Sequence, residues 1–253
     1  MSADWWQSQR ELWCKDTVEL TVIEGCMGKA PGVQTYLDML LSAWGWTVAV
    51  AGIGMAVALV VGSLVGVART TPMRGLVLLG DAWTELFRNV PLIVQLFLWF
   101  FVVPEFVPLL KQAPSVALAG VGLGFFTSAR ISEQVRAGIQ SIPKGQWHAG
   151  LAIGLSLPQT YRHVLLPVAF RVVIPPLTSE CMNVVKNSAV AFAVSVAELT
   201  LIAKQVGEET SQHTAVYAVV TLLYFVTAFS VYLLASGIAK AVQVPGVAGG
   251  GGR

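Results

Sequence analysis

The chain has 253 residues, of which 55% are hydrophobic and only 12% charged, and its mean hydropathy is +0.68. Soluble domains carry about 25% charged residues, so this composition excludes an ordinary soluble fold and defines an all-α integral membrane protein as the expectation. The net charge of +2 leaves no footprint for nucleic acid and makes the distribution of charge between loops more informative than its sum.

Residues 1–35 read as an extramembrane or interfacial lead-in. The tryptophans of DWWQSQRELW suit a membrane interface, and TVELTVIEG alternates like a short strand. Cys14, Cys26 and Cys181 show neither C-x-x-C nor a His/Cys metal spacing, so no metal site is expected. Cys14 and Cys26 can pair only if the amino terminus faces an oxidising compartment. Met1 to Gly28 lacks the uninterrupted apolar run of a cleavable signal, so the first span is expected to act as its own targeting signal.

Met39 to Ala68 is free of charge for 30 residues, enough for one membrane-crossing helix with length to spare. Gly52, Gly54, Ala56, Gly62 and Gly66 are placed to let another helix approach closely. A second helix is expected from about Leu76 to Val103, kinked at Pro91, with Asp81, Glu85 and Arg88 in its early part and Glu85 within reach of Arg88. The third runs through the charge-free stretch Gln112 to Ala129 and on to near Pro143, with Arg130, Glu133 and Arg136 along one side. A fourth segment, Phe170 to Ala203, is expected to break at Pro175 and Pro176, and its Glu180, Lys186 and Glu198 require protein packed against it. The fifth is charge-free from Thr214 to Ala239, and residues 244–253 form a low-complexity flexible tail. The expected organisation is a five-helix transmembrane domain over residues 36–243, interrupted by a polar loop at 141–167.

Basic residues set the orientation. With the amino terminus outside, Arg69, Arg74, Lys144, Arg162, Arg171, Lys240 and Arg253 fall inside, whereas the two outside loops hold only Lys111 and Lys204. Arg10, Lys15 and Lys29 of the lead-in count against this arrangement, but the balance favours five spans with the amino terminus outside, a cytoplasmic carboxyl terminus and a cytoplasmic polar loop.

Within that loop GQWHAGLAIG reads as a short helix, broken around Gly154 to Pro158 and followed by a second helical stretch, QTYRHVLLP; such a helix pair on a membrane face presents a ridge to a partner. His148-Ala149-Gly150, then Gly154, Val164 and Leu166-Pro167 resemble in spacing the EAA motif of binding-protein-dependent ABC importer permeases: EAA, three residues, Gly, nine residues, Ile, one residue, Leu-Pro. The chain departs from it at His148 for Glu, Gly150 for Ala and Val164 for Ile, and the missing carboxylate removes any salt bridge made from the first position. ELFRNVPLIVQ, ARISEQVRAGIQSIPKGQ, LPQTYRHVLLPVAFRVVIPPLTSE and NVVKNSAV extend the likeness over about Tyr36 to Pro245, and they are similar to the polar amino acid branch of that family, above all its glutamate/aspartate permeases. The resemblance implies a type I importer permease of five helices in a bacterial inner membrane, whose loop is a coupling helix seated in a groove of an ATPase. It also implies a second permease subunit, homologous or identical, two cytoplasmic ATP-binding subunits and a periplasmic amino-acid-binding protein. ATP and Mg would be bound by the partner ATPase, with no cofactor in this chain.

With the third helix descending and the fourth ascending, Arg130 and Lys186 fall near the bilayer middle, where a cation is costly unless paired or facing an aqueous path. Either one or both neutralise an acidic substrate in passing, with Glu133 on the same path, or Arg130 pairs with Glu133 and Lys186 with Glu180 or a neighbouring helix. Asn183 and Ser188 either line that path or hold helices together. The family likeness offers Glu85 and Arg88 as a gate or subunit contact, against an ordinary ion pair. The sequence contains no Gly-x4-Gly-Lys-Ser/Thr phosphate loop, as expected of a subunit whose partner hydrolyses ATP. An ion-coupled secondary amino acid carrier is the alternative, since broken helices and intramembrane charges also occur there, but no inverted repeat is visible. An intramembrane enzyme lacks a nucleophile–base pair or a ligand set.

Overall fold

In a computed structural model of the protein, the described residues are 7, 9, 11–17 and 34–242. The TVELTVIEG stretch beyond Thr17, Cys26 and the tail after Val242 lie outside them. The first helix, α1 (Tyr36–Ala68), opens on a capping box in which the amide of Asp38 donates to Thr35 Oγ1 and the amide of Thr35 to Asp38 Oδ2. It is followed by α2 (Arg74–Asn89), α3 (Leu92–Phe106), α4 (Ser115–Gln140), α5 (Lys144–Ala152), α6 (Leu157–Val194), α7 (Leu199–Thr210) and α8 (His213–Val242).

Four helices, α1, α4, α6 and α8, are long and apolar enough to cross a membrane; α2 and α3 add a fifth span only if taken as one broken unit, because they meet at 106°. The expected single helix with a kink is therefore two helices. Val90, ahead of Pro91, is extended (φ −91°, ψ 130°), the conformation favoured before proline, so α2 ends there instead of bending. Gln95 Nε2 then donates to the carbonyls of Phe87 and Val90, each at 2.9 Å, satisfying acceptors that the broken helix leaves open.

In α6 the outcome is reversed. Pro175 and Pro176 lie inside an unbroken helix, Leu166–Asn187, and the break comes at Ser195, whose φ of 58° turns the chain towards α7. The helix also starts earlier than expected: QTYRHVLLP is its beginning, with a widened π turn at Tyr161–Leu165, and not the second arm of a surface pair.

The central seam joins α1 to α4. Small residues four apart, Gly54, Ala58, Gly62 and Gly66, are buried on α1, as are Gly120, Gly124, Ser128 and Ser132 on α4. At Gly62 a Cβ would lie 2.7 Å from the Cβ of Ile131 and 2.8 Å from the carbonyl oxygen of Ser128, so only a hydrogen fits. Each helix thus seats the other's β-branched side chains, the packing device of apolar surroundings. Gly52 and Ala56, expected at the same contact, are exposed on another face, and nothing lies within 4 Å of a Cβ placed at Gly52.

Candidate functional site

The short helix α5 is bounded at its end by two turns of opposite purpose. The amide of Leu155 donates to the Gly150 carbonyl at 3.1 Å and that of Gly154 to Leu151 at 3.0 Å, while Gly154 takes φ +85°. This is a Schellman closure, and its left-handed position favours glycine. Immediately afterwards Ser156 and Gln159 form a capping box, with Pro158 in the first turn, and α6 begins. The break expected around Gly154 to Pro158 is thus a stop and a restart encoded side by side.

The inward side of α5 is fixed. Trp147 meets the Tyr161 ring edge to face at 5.4 Å, and the Tyr161 hydroxyl donates to the Thr70 carbonyl at 2.7 Å, tying the start of α6 to the turn after α1. Gly150 lies against Thr160, whose Cγ2 would be 2.9 Å from an added Cβ; an alanine here, as in the family pattern, would press on that side chain. A cleft of about 710 Å³ separates α5 from the α1–α2 turn, lined among others by Arg69, Lys144, Trp147, His148 and Tyr161. His148 is exposed where it lines this cleft, and Ala149 and Gly154 are exposed as well. Val164 and Leu166 are half-buried on α6, Leu166 packing against the cluster that includes Ala58, Ile131, Val135 and Ala169, and Pro167 is exposed. Spacing did not single out Leu151 and Ile153, yet Ile153 is 77% exposed.

Above α5, three helices converge on Arg69, whose side chain is only 4% exposed. Its Nε donates to Asp81 Oδ1 of α2 at 2.7 Å, Nη1 to Ser132 Oγ at 3.1 Å and Nη2 to Glu133 Oε1 of α4 at 3.0 Å. Arg136 shares Asp81 at 3.1 Å. A guanidinium so removed from water requires this company. Glu133 therefore belongs to Arg69 and does not pair with Arg130, as one reading of the sequence had it. Arg88 bonds Glu85 at 3.1 Å, the ordinary ion pair expected, and also lies 3.9 Å from Glu133.

Arg130 instead faces α6. Its Nη1 is 3.9 Å from Glu180 Oε2, with 45% of the Arg130 side chain exposed and 9% of Glu180, and its guanidinium carbon sits 5.6 Å from the Phe126 ring centre. Gln134 donates to the other Glu180 oxygen at 3.3 Å. Among the described residues, Glu180 Oε2 and Gln134 Oε1 are buried without a hydrogen-bond partner. Lys186 is exposed and forms no ion pair among the described residues; six positions beyond Glu180, it is displaced by about 9 Å along the helix and does not serve that carboxylate. Asn183 is half-buried, and Ser188 is buried with its hydroxyl on the Val185 carbonyl at 2.7 Å, so Ser188 serves its own helix end. Sequence reasoning treated Glu180 only as a structural partner for lysine. No group of three or more metal-ligating side chains occurs among the described residues.

A bent second span, a small-residue seam and a short capped helix between two long ones define a multi-pass membrane component. Residues 58–244 match the family described as "Binding-protein-dependent transport system inner membrane component", and the chain belongs to that family, the permeases of ABC importers. It is 41% identical over 229 residues to the glutamate/aspartate import permease protein GltJ of Escherichia coli, covering 87% of this chain and 93% of that one. It is 31% identical over 202 residues to the L-cystine transport system permease protein TcyB of Bacillus subtilis, covering 79% and 85%. Its fold is that of a chain in inward-facing conformations of the MetNI methionine ABC transporter, with a TM-score of 0.73, 24% identity, and coverage of 88% of this chain and all of that one. The ion-coupled carrier weighed from the sequence finds no support in these matches.

Proposed function

We propose that this chain is one of two permease subunits of an ATP-driven importer that moves glutamate or aspartate from the periplasm to the cytoplasm. The choice of amino acid is supported by the identity to GltJ across most of both chains. The translocation reading rests on one observation: a half-exposed Arg130 beside a buried Glu180 that keeps an oxygen without a hydrogen bond. An amino acid carries both charges, and neither crosses hydrocarbon unaided. Arg130 receives a carboxylate of the substrate, and Glu180 with Gln134 receives its ammonium. Lys186 supplies a second exposed cation further along the path, beside Asn183. A periplasmic binding protein delivers the substrate, with the amino terminus of the permease on that side and its carboxyl terminus in the cytoplasm.

Two ATPase subunits, which bind the ATP and Mg, dock on the exposed side of α5. His148, Ala149, Leu151 and Ile153 make the contact, Gly150 and Gly154 give the helix its seat and its end, and Val164 with the Leu166-Pro167 corner continues the surface onto α6. The test is the complete complex in proteoliposomes, followed by uptake of labelled glutamate and by ATP hydrolysis. Arg130→Ala and Glu180→Gln are each expected to lower uptake by about tenfold or more while the complex still assembles. Ile153→Asp is expected to make hydrolysis indifferent to loaded binding protein. Unchanged uptake in both path variants overturns the path, and uptake driven by an ion gradient without ATP overturns the ATP-driven reading.

A further inference from the structure

Ahead of α1 the chain doubles back on itself. The Thr17 amide donates to the Gln34 carbonyl at 2.9 Å, the Tyr36 amide to Lys15 at 3.3 Å, and Asp16 bridges Thr35 in antiparallel sense. Cys14 is fully buried and disulfide-bonded, whereas Cys181 is a free thiol. Leu12 and Trp13 are buried in one cluster with Tyr36 and Leu40 of α1, Leu199, Ile202 and Val206 of α7, and Val216 of α8. The helix they cover, α7, is a 12-residue piece lying between two non-glycine residues in the left-handed region, Ser195 at φ 58° and Ser211 at φ 56°. Such positions are strained for an L side chain and persist where packing holds them. Besides this cluster, α7 is fastened by the Tyr36 hydroxyl on Glu209 at 2.9 Å and by Glu198, which caps it and accepts from the Tyr224 hydroxyl at 2.6 Å.

We propose that residues 11–17 are a periplasmic strap that clamps α7 onto α1 and α8, and that the Cys14 disulfide keeps the strap closed. The orientation rests on the outward amino terminus proposed above, which places the strap on the side of a membrane where disulfides persist. With the strap closed, α7 has an apolar lid and the two serine turns keep their geometry. Opening it exposes one side of a short helix already bounded by strained turns, so α7 loosens as a unit. The opening step is a two-electron reduction: a dithiol gives two electrons and two protons to the S–S bond, yielding two thiols, and itself closes to a disulfide.

The experiment follows hydrogen exchange in the assembled complex, in lipid nanodiscs with its binding protein, before and after dithiothreitol. Amides of α7 are expected to exchange about tenfold faster or more after reduction, with α5 unchanged. Cys181→Ser should respond as the unaltered chain does; Cys14→Ser should show the fast exchange from the start and no further response. Should Cys14→Ser fail to assemble, reduction of the preassembled unaltered complex gives the same reading. Unchanged α7 exchange after complete reduction overturns the strap. A membrane-impermeant maleimide, applied in a Cys181→Ser background, should label the reduced chain in intact spheroplasts. Labelling confined to inverted vesicles overturns the orientation while the exchange result stands, so the two failures are told apart.

Discussion

Replacing Gly62 by alanine tests the seam between α1 and α4 directly. The new methyl carbon would sit 2.7 Å from the Cβ of Ile131 and 2.8 Å from a main-chain oxygen at Ser128, whereas carbon contacts are optimal at about 3.5–4.0 Å. Neither neighbour is the tip of a flexible side chain, so the helices must part by about 1 Å, and a gap of that size forfeits a quarter to a half of each contact along the seam. Overpacking of this kind costs roughly 1–3 kcal/mol. Alanine also gains about 1 kcal/mol of helix propensity over glycine, which would mask part of the loss. Gly52→Ala supplies the control, because it lies in the same helix and has nothing within 4 Å of the new methyl. The difference between the two variants then isolates the steric part. Thermal unfolding of the purified complex should place Gly62→Ala below Gly52→Ala by roughly 2–4 °C per kcal/mol. Coincident melting curves would refute the close approach.

Three further outcomes follow from the geometry. Arg69→Met leaves Asp81 and Glu133 without their shared cation and should cost about 3 kcal/mol, the low end for breaking a buried pair, since both carboxylates are 39% exposed; Arg69→Lys should recover only part of this, as an ammonium cannot reproduce the planar fork, and both are read by thermal melts. Gly154→Ala places a side chain at φ +85° and should lower stability by about 1 kcal/mol through the end of α5, while Gly145→Ala, with nothing within 4 Å, should not. Burial pushes the Glu198 carboxyl up from its ordinary value, only partly offset by the amides of Thr200 and Leu201 and the hydroxyl of Tyr224. The folded state therefore holds this proton more tightly than the unfolded one, so its contribution is full below the unfolded carboxylate range and is lost as pH rises through the folded value; melting temperatures measured across that window should fall with pH in the unaltered chain and flatten in Glu198→Gln.

The membrane class, the long apolar helices and the place of the short helix were legible because each depends on local sequence: a charge-free run of sufficient length, or a glycine and a proline in succession, Gly154 and Pro158. The two proline sites were not, because proline's effect is decided by its neighbours. At Pro91 an extended Val90 and the side chain of Gln95, four residues beyond the proline, permit a full break, whereas Pro175 and Pro176 sit in a helix packed on both α4 and α8. Charge pairing was equally hidden. Glu133 lies three residues from both Arg130 and Arg136 on its own helix, yet bonds Arg69, 64 positions away, because a buried guanidinium draws acceptors from whichever helices surround it. The seam was half legible: small residues announced close approach, but only the buried row at every fourth position, Gly54 to Gly66, faces α4, and Gly52 and Ala56 fall two positions out of phase with it.

The convergence on Arg69 has a kinematic consequence. A guanidinium offers its donors in a rigid plane, and here one is committed to α2 and two to α4 from the end of α1. If any one of these helix ends slid past the others by even a few ångströms, it would leave a bare charge in a place water scarcely reaches. Rocking motions of the chain must therefore carry the ends of α1, α2 and α4 as a single block, with the give taken up elsewhere, and paired spin labels on those three ends should keep their separations through the whole transport cycle.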